Sequence, residues 1–178
     1  MRFHNILAVC FDCGDTLVDE ATEVKDETDT SLRAKLIPGA ADILHALKRQ
    51  RYKLALVADG PVATFRNNLG PYGLYDLFDA YAISEELGTR KPDAHMFRHA
   101  LDQLCIGEQD YGRVVMVGNH LARDVKGANA LGIISVWLNW SPRRPKIPAD
   151  ESEVPRYTIS TPMDLLPILK ALDRVEPT

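Results

Sequence analysis

At 178 residues, 46% hydrophobic and 26% charged, the chain suffices for one globular domain with a sizeable core and is short for two. Lys and Arg number 21 against 25 Asp and Glu, a net charge of −4, so no overall basic field points to nucleic acid or an anionic membrane surface. Its apolar runs are strand-sized rather than membrane-spanning, Met1-Arg2-Phe3-His4-Asn5 lacks an apolar secretory region, and the odd, low count of three cysteines predicts a cytoplasmic protein without disulfides.

Ile6 to Phe11 reads as a strand, followed by Asp12-Cys13-Gly14-Asp15-Thr16. Cys10 and Cys13 match C-x-x-C, but no second pair completes a zinc site, and a redox pair would open a helix, so Cys10 is assigned to the core. The acid-rich stretch Val18 to Thr30 predicts a solvated loop or short hairpin, part of a short flap over 18–37. A helix from Gly39 to Gln50, a strand from Lys53 to Ala58, the turn Asp59-Gly60 and a helix from Pro61 to Leu69 follow. Next come a strand from Phe78 to Ile83 and a helix from Pro92 to Leu104, with Phe97, Ala100, Leu101 and Leu104 on one face. Arg113 to Val117 is a strand, Leu121 to Leu131 a helix and Ile133 to Leu138 a strand. The Pro-rich basic stretch 141–156, with Arg143, Arg144 and Lys146, reads as a solvated linker or as an anion-binding lip.

These strands are continuous apolar runs, as expected when helices cover both faces of a parallel sheet. Strand and helix alternate, which predicts an α/β fold: a doubly wound, Rossmann-like parallel sheet with helices on both faces, residues 1–178 forming one domain. Such sheets bind ligands at the C-terminal ends of their strands, near the point where strand order reverses. The residues there are Asp12 to Thr16, Asp59-Gly60 and Gly118-Asn119-His120, with Asp124 one helical turn further on.

Four segments in this order resemble the haloacid-dehalogenase-like superfamily. They are Phe11-Asp12-Cys13-Gly14-Asp15-Thr16-Leu17, Leu54 to Gly60, Ser84 to Asp93 around Lys91-Pro92, and Val117-Gly118-Asn119-His120 through Asp124 to Ala128. The resemblance implies a phosphatase in which Asp12 attacks phosphorus to form an aspartyl-phosphate and Lys91 supplies a positive charge beside it. It also implies Mg²⁺ held by Asp12, the Gly14 carbonyl, Asn119 and Asp124. Backbone groups of Asp59 and Gly60 would meet the phosphate, and Thr16 is expected among the phosphate-binding residues, orienting the first loop rather than reacting. His120 is expected as an exposed loop residue within reach of substrate.

Three positions depart from the pattern. Gly14 stands where the family's phosphatases carry a carboxylate that acts as general acid and base, Ala58 where they carry Ser or Thr, and Asn119 where they carry an Asp. Magnesium is therefore expected to bind weakly. Two other readings stand beside the phosphatase: a catalytically impaired binding or regulatory protein, and a metal-independent hydrolase of the dehalogenase type. No stretch is long enough for a separate cap domain, so an open site is expected, suited to a large phosphorylated substrate or to a neighbouring copy of the chain acting as lid.

Overall fold

The computed structural model describes residues 5–174. The reading of the first residues as non-secretory falls on residues 1–4 and so lies outside the described residues. In chain order the elements are β1 (Ala8–Phe11), β2 (Val18–Lys25), β3 (Ser31–Leu36), α1 (Ala40–Arg49), β4 (Lys53–Ala58), α2 (Val62–Leu69) and β5 (Ala80–Ile83). Then come α3 (Ser84–Leu87), α4 (Ala94–Gln103), β6 (Val114–Gly118), α5 (Lys126–Ala130), β7 (Ile134–Leu138), β8 (Tyr157–Ile159) and α6 (Leu165–Leu172).

Six strands form one parallel sheet in the order β5-β4-β1-β6-β7-β8. From the central β1 the chain builds outward through β4 and β5, then returns to β6 on the other side. The reversal therefore falls between β1 and β6, whose ends are level: Phe11 pairs with Val117, and the Asp12 N–H donates to the Val117 carbonyl at 3.0 Å. Asp12 thus emerges at the crevice that such a reversal opens.

Alternating side chains divide the core into two layers. Val9, Phe11, Leu54, Leu56, Val115 and Val117 pack with α1, α2 and α6, while Ala8, Cys10, Ala55, Val57, Val114 and Met116 pack with α4 and α5. Cys10 is core, as the sequence predicts, and burial pushes its thiol up to about 12. Toward α4 and α5 the strands offer mostly small residues, such as Ala8, Ala55, Ala80 and Ala82, so those helices lie close. Gly127 lets α5 meet α4: a Cβ there would fall 2.4 Å from the Phe97 ring and 3.2 Å from the Pro92 Cα.

The predicted strands and helices are present, with local differences. The 18–37 flap is an antiparallel hairpin of β2 and β3. It docks on α2, where Ser31 Oγ donates to Asn68 Oδ1 at 2.9 Å and Asn67 Nδ2 donates to the Ser31 carbonyl at 3.0 Å. The helix expected from Pro92 begins at Ala94, because the Asp93 carboxylate caps it by accepting the His95 N–H at 2.8 Å. The helix expected from Leu121 opens with a wide π-type turn, Leu121–Val125, and becomes α-helical only at Lys126. Among the described residues there is no separate cap, and no helix is long and apolar enough to cross a membrane.

The closeness of α4 and α5 is testable. Gly127→Ala gains roughly 1 kcal/mol of helix propensity but overpacks a fully buried ring, a cost of about 1–3 kcal/mol. Net destabilisation of about 1 kcal/mol is expected in chemical denaturation. Gly112→Ala, with nothing among the described residues within 4 Å of its Cβ, should leave the midpoint unchanged or raised.

Candidate active site at the sheet reversal

Asp12, at the end of β1, faces the cleft with a side chain 14% exposed. Lys91, arriving from the loop before α4, is buried and places its Nζ 2.7 Å from Asp12 Oδ1 and 2.7 Å from Asp124 Oδ1. Asp124 is itself buried in the π-type turn, and its other oxygen accepts the His120 N–H at 3.0 Å. Gly118 makes room for that carboxylate, since a Cβ there would lie 2.2 Å from Asp124 Oδ2. Burial pushes the Asp124 carboxyl up, to about 6, against the pull of Lys91. Burial also works against the Lys91 ammonium, but Asp12, Asp124 and Asp59 outweigh it and hold the charge firmly. One ammonium between two carboxylates leaves the trio with a single net negative charge.

Asn119, at the end of β6, joins the trio through its amide. Nδ2 donates to Asp12 Oδ2 at 2.9 Å, to the Gly14 carbonyl at 2.5 Å and to Thr16 Oγ1 at 3.0 Å. Oδ1 accepts from Arg144 Nε at 3.1 Å, which sets the amide's direction. Three oxygens thus converge on one point, now filled by the amide nitrogen. A hard divalent cation prefers such oxygens, and the net negative charge beside them suits it. Asp12, the Gly14 carbonyl and Asp124 are at hand for this, and Asn119 adds an oxygen if its amide makes a half-turn. That turn gives up the hydrogen bonds through which the two N–H groups of Nδ2 serve these three acceptors and sets an NH₂ against the Arg144 guanidinium. The donors fit magnesium in kind, and the amide competes with it.

The other expected site residues divide. Asp59 and Gly60 line the same cleft, of ≈ 250 Å³, as Asp12 and Asn119. Asp59 Oδ1 accepts the Lys91 N–H at 3.0 Å, which ties the lysine loop to the end of β4. The Gly60 N–H does not face substrate as expected; it donates to Ser84 Oγ at 2.8 Å, because α3 sets that hydroxyl beside the turn. Thr16 is also corrected as a phosphate contact: it is buried, and its hydroxyl donates to Asp12 Oδ2 at 3.3 Å. His120 is half-buried rather than exposed, its Nδ1 buried and without a hydrogen-bond partner among the described residues. Burial, with Arg123 and Arg144 nearby, lowers its pKa. Asp15 turns away from the cleft with φ 52, a left-handed conformation that Asp tolerates.

Sequence reasoning missed the clamp that closes one side of the cleft. Arg143 pairs with the buried Asp15 and with Asp19 at 3.1 Å, and Arg144 pairs with Glu20 and, at 3.4 Å, with Asp15. The basic loop, read as linker or anion lip, is thus spent largely on the flap's own acids. Opposite charge in the two stretches was the available signal. Burial raises the Glu20 carboxyl above its ordinary value.

A family model described as a haloacid dehalogenase-like hydrolase matches residues 20–132, a stretch that holds Lys91, Asn119 and Asp124 and begins after Asp12. Over 133 residues the chain is 35% identical to pyrimidine 5'-nucleotidase YjjG of Escherichia coli (strain K12), covering 75% of this chain and 56% of that protein. Over 138 residues it is 28% identical to glyceraldehyde 3-phosphate phosphatase of Methanopyrus kandleri, covering 78% and 58%. The chain thus spans little more than half the length of these curated relatives. The HAD phosphatase of Thermococcus onnurineus superposes with a TM-score of 0.76 at 22% identity, over 96% of this chain and 100% of that one. The putative HAD-hydrolase YfnB of Bacillus subtilis, bound to magnesium, gives 0.64 at 28% identity, over 76% and 56%.

Removing one partner of a buried ion pair strands the other charge, at about 3–5 kcal/mol. Lys91→Met should lose stability on that scale, and adding Asp124→Asn should return much of it. Denaturation of the single and double variants reads this; a Lys91→Met cost below about 1 kcal/mol would contradict the central role of the trio.

Proposed function

The chain belongs to the haloacid dehalogenase-like hydrolase family, and from that premise we propose that it hydrolyses phosphoric monoesters through an aspartyl-phosphate on Asp12. The observation that carries the reading is a carboxylate at the end of the central strand, facing the cleft and held by a buried lysine on one oxygen and an amide on the other. Held this way, Asp12 is aimed for in-line attack, and orientation supplies much of the catalysis in phosphoryl transfer. Lys91, 2.7 Å from Asp12 Oδ1, orients the nucleophile and adds positive charge beside the transferring group. Two curated relatives are named for phosphate monoesters of small molecules, a nucleotide and glyceraldehyde 3-phosphate.

Magnesium is the proposed cofactor, held by Asp12, the Gly14 carbonyl, Asp124 and the turned amide of Asn119. The net negative trio supports this, because a phosphate ester adds further negative charge that a divalent cation would neutralise. The magnesium-bound YfnB supports it as well. A metal-independent hydrolase is the second reading, favoured by the Asn119 nitrogen at the point where the oxygens converge.

Among the described residues no separate cap covers the cleft, which leaves room for a leaving group to extend past the hairpin. That supports a phosphate presented by a larger molecule, or a second copy of the chain as lid. Free cysteines, two of them buried, suit a reducing compartment such as the cytoplasm.

Asp12→Asn should lower turnover of an aryl phosphate on the order of a thousandfold or more while leaving the fold intact. Full activity in a folded variant would end the nucleophile assignment. Asn119→Asp should tighten magnesium by about tenfold or more, since added ligand charge raises affinity. Calorimetry decides between the two metal readings: unchanged affinity would take residue 119 out of the coordination shell, and no binding by either protein would leave the metal-independent reading.

A further inference from the structure

Hydrolysis of a phosphomonoester needs a group that gives a proton to the leaving oxygen and later takes one from water. The groups holding the nucleophile are already engaged. Lys91 is shared by Asp12 and Asp124, and Asp15 is buried against Arg143 and Arg144. Position 14, two residues past the nucleophile, carries no side chain.

Its backbone does not require glycine, since Gly14 is not among the glycines with positive φ. Space does. A Cβ at residue 14 would lie 2.0 Å from Glu20 Oε1 and 2.8 Å from its Cδ. The Glu20 carboxylate, reaching in from β2, fills the volume that a side chain at 14 would take. It lines the same cleft as Asp12. Arg144 holds its Oε2, while among the described residues Oε1 takes no hydrogen bond and remains free to act.

We infer that Glu20 is the proton carrier of this site, supplied by the hairpin to the place that Gly14 leaves open; the inference rests on the phosphomonoester reading above. In the first step an Asp12 oxygen bonds to phosphorus, the bond from phosphorus to the leaving oxygen breaks, and the Glu20 carboxyl gives that oxygen its proton. In the second, water attacks phosphorus, the Glu20 carboxylate takes the water's proton, and the bond from phosphorus to Asp12 breaks. Inorganic phosphate leaves and both carboxyl groups return to their starting states.

The rival is His120, which lines the same cleft with an unpartnered Nδ1. Rapid-mixing kinetics on an aryl and an alkyl phosphate separate the two, using the intact chain and its Glu20→Gln, His120→Gln and Gly14→Asp/Glu20→Ala variants, each checked for folding by circular dichroism. Glu20→Gln should lower alkyl phosphate turnover about 10²–10⁴-fold, the range of a positioned acid or base. The aryl phosphate, whose leaving group departs without a proton, should instead give a stoichiometric burst followed by slow turnover. The double variant, which moves the carboxylate to residue 14, should regain alkyl activity, and it keeps the test decisive should Gln disturb the pair with Arg144. Unchanged turnover in Glu20→Gln, an equal loss on both substrates without a burst, or the selective loss appearing in His120→Gln instead would each overturn the assignment to Glu20 alone. A parent protein that hydrolyses neither substrate and gives no burst would overturn the phosphomonoester reading and this inference together.

Discussion

Lys91 is buried between two carboxylates at the reversal of the sheet, and the site depends on that arrangement. Burial alone would drive a lysine toward its neutral form and each carboxylate toward its protonated one. The lysine keeps its charge because the carboxylates around it outweigh its burial, and they do so only while the geometry holds. Three strand ends are therefore tied to one another. Asp12 closes β1, the Lys91 backbone bonds to Asp59 after β4, and Asp124 follows β6 through the turn at His120. Two of the glycines at this edge serve close approach rather than unusual backbone: Gly118 admits the Asp124 carboxylate and Gly14 admits that of Glu20.

The sheet was legible because its strands are nearly all apolar and its helices carry one apolar face, so the period changes wherever the element changes. Less regular parts were not. The hairpin's β2 carries Asp19, Glu20 and Glu23 among few apolar residues, and only Val18 is fully buried, so alternation gives no clear strand signal. β8 has three residues and is recognisable only by its pairing with β7. The π-type turn around Asp124 has no propensity signature; the chain widens there to bring a carboxylate back against Gly118.

Of the site, Asp12, Asn119 and Asp124 stood out because each follows a strand or lies a turn beyond one at the edge where such sheets bind ligands, whereas Lys91 was marked only by its resemblance to the family's lysine segment. What each atom does there was not legible. Gly60 and Thr16 were expected to meet phosphate, yet both spend their polar groups on Ser84, Asp12 and Asn119. These are hydrogen bonds between segments far apart in sequence, and no local pattern encodes them. Glu20 was hidden for the same reason: it appeared as one acid in an acidic run, and only the space above Gly14 distinguishes it.

Two departures from the family pattern, Gly14 and Asn119, look in sequence like separate losses. In the structure one side chain joins them. Arg144 donates to Asn119 Oδ1 at 3.1 Å and also holds the Glu20 carboxylate. On the proposed mechanism, turning the amide to offer an oxygen to a cation removes an acceptor from Arg144, the same guanidinium that positions the proton carrier. Coupling between two such events is reciprocal: anything that fastens Arg144 onto Glu20 and Asn119 also holds the amide with its nitrogen toward Asp12. A proton carrier brought from the hairpin, an amide in place of a carboxylate and an arginine from the loop after β7 are parts of one rearrangement. Substituting any one of them alone tests the other two as well.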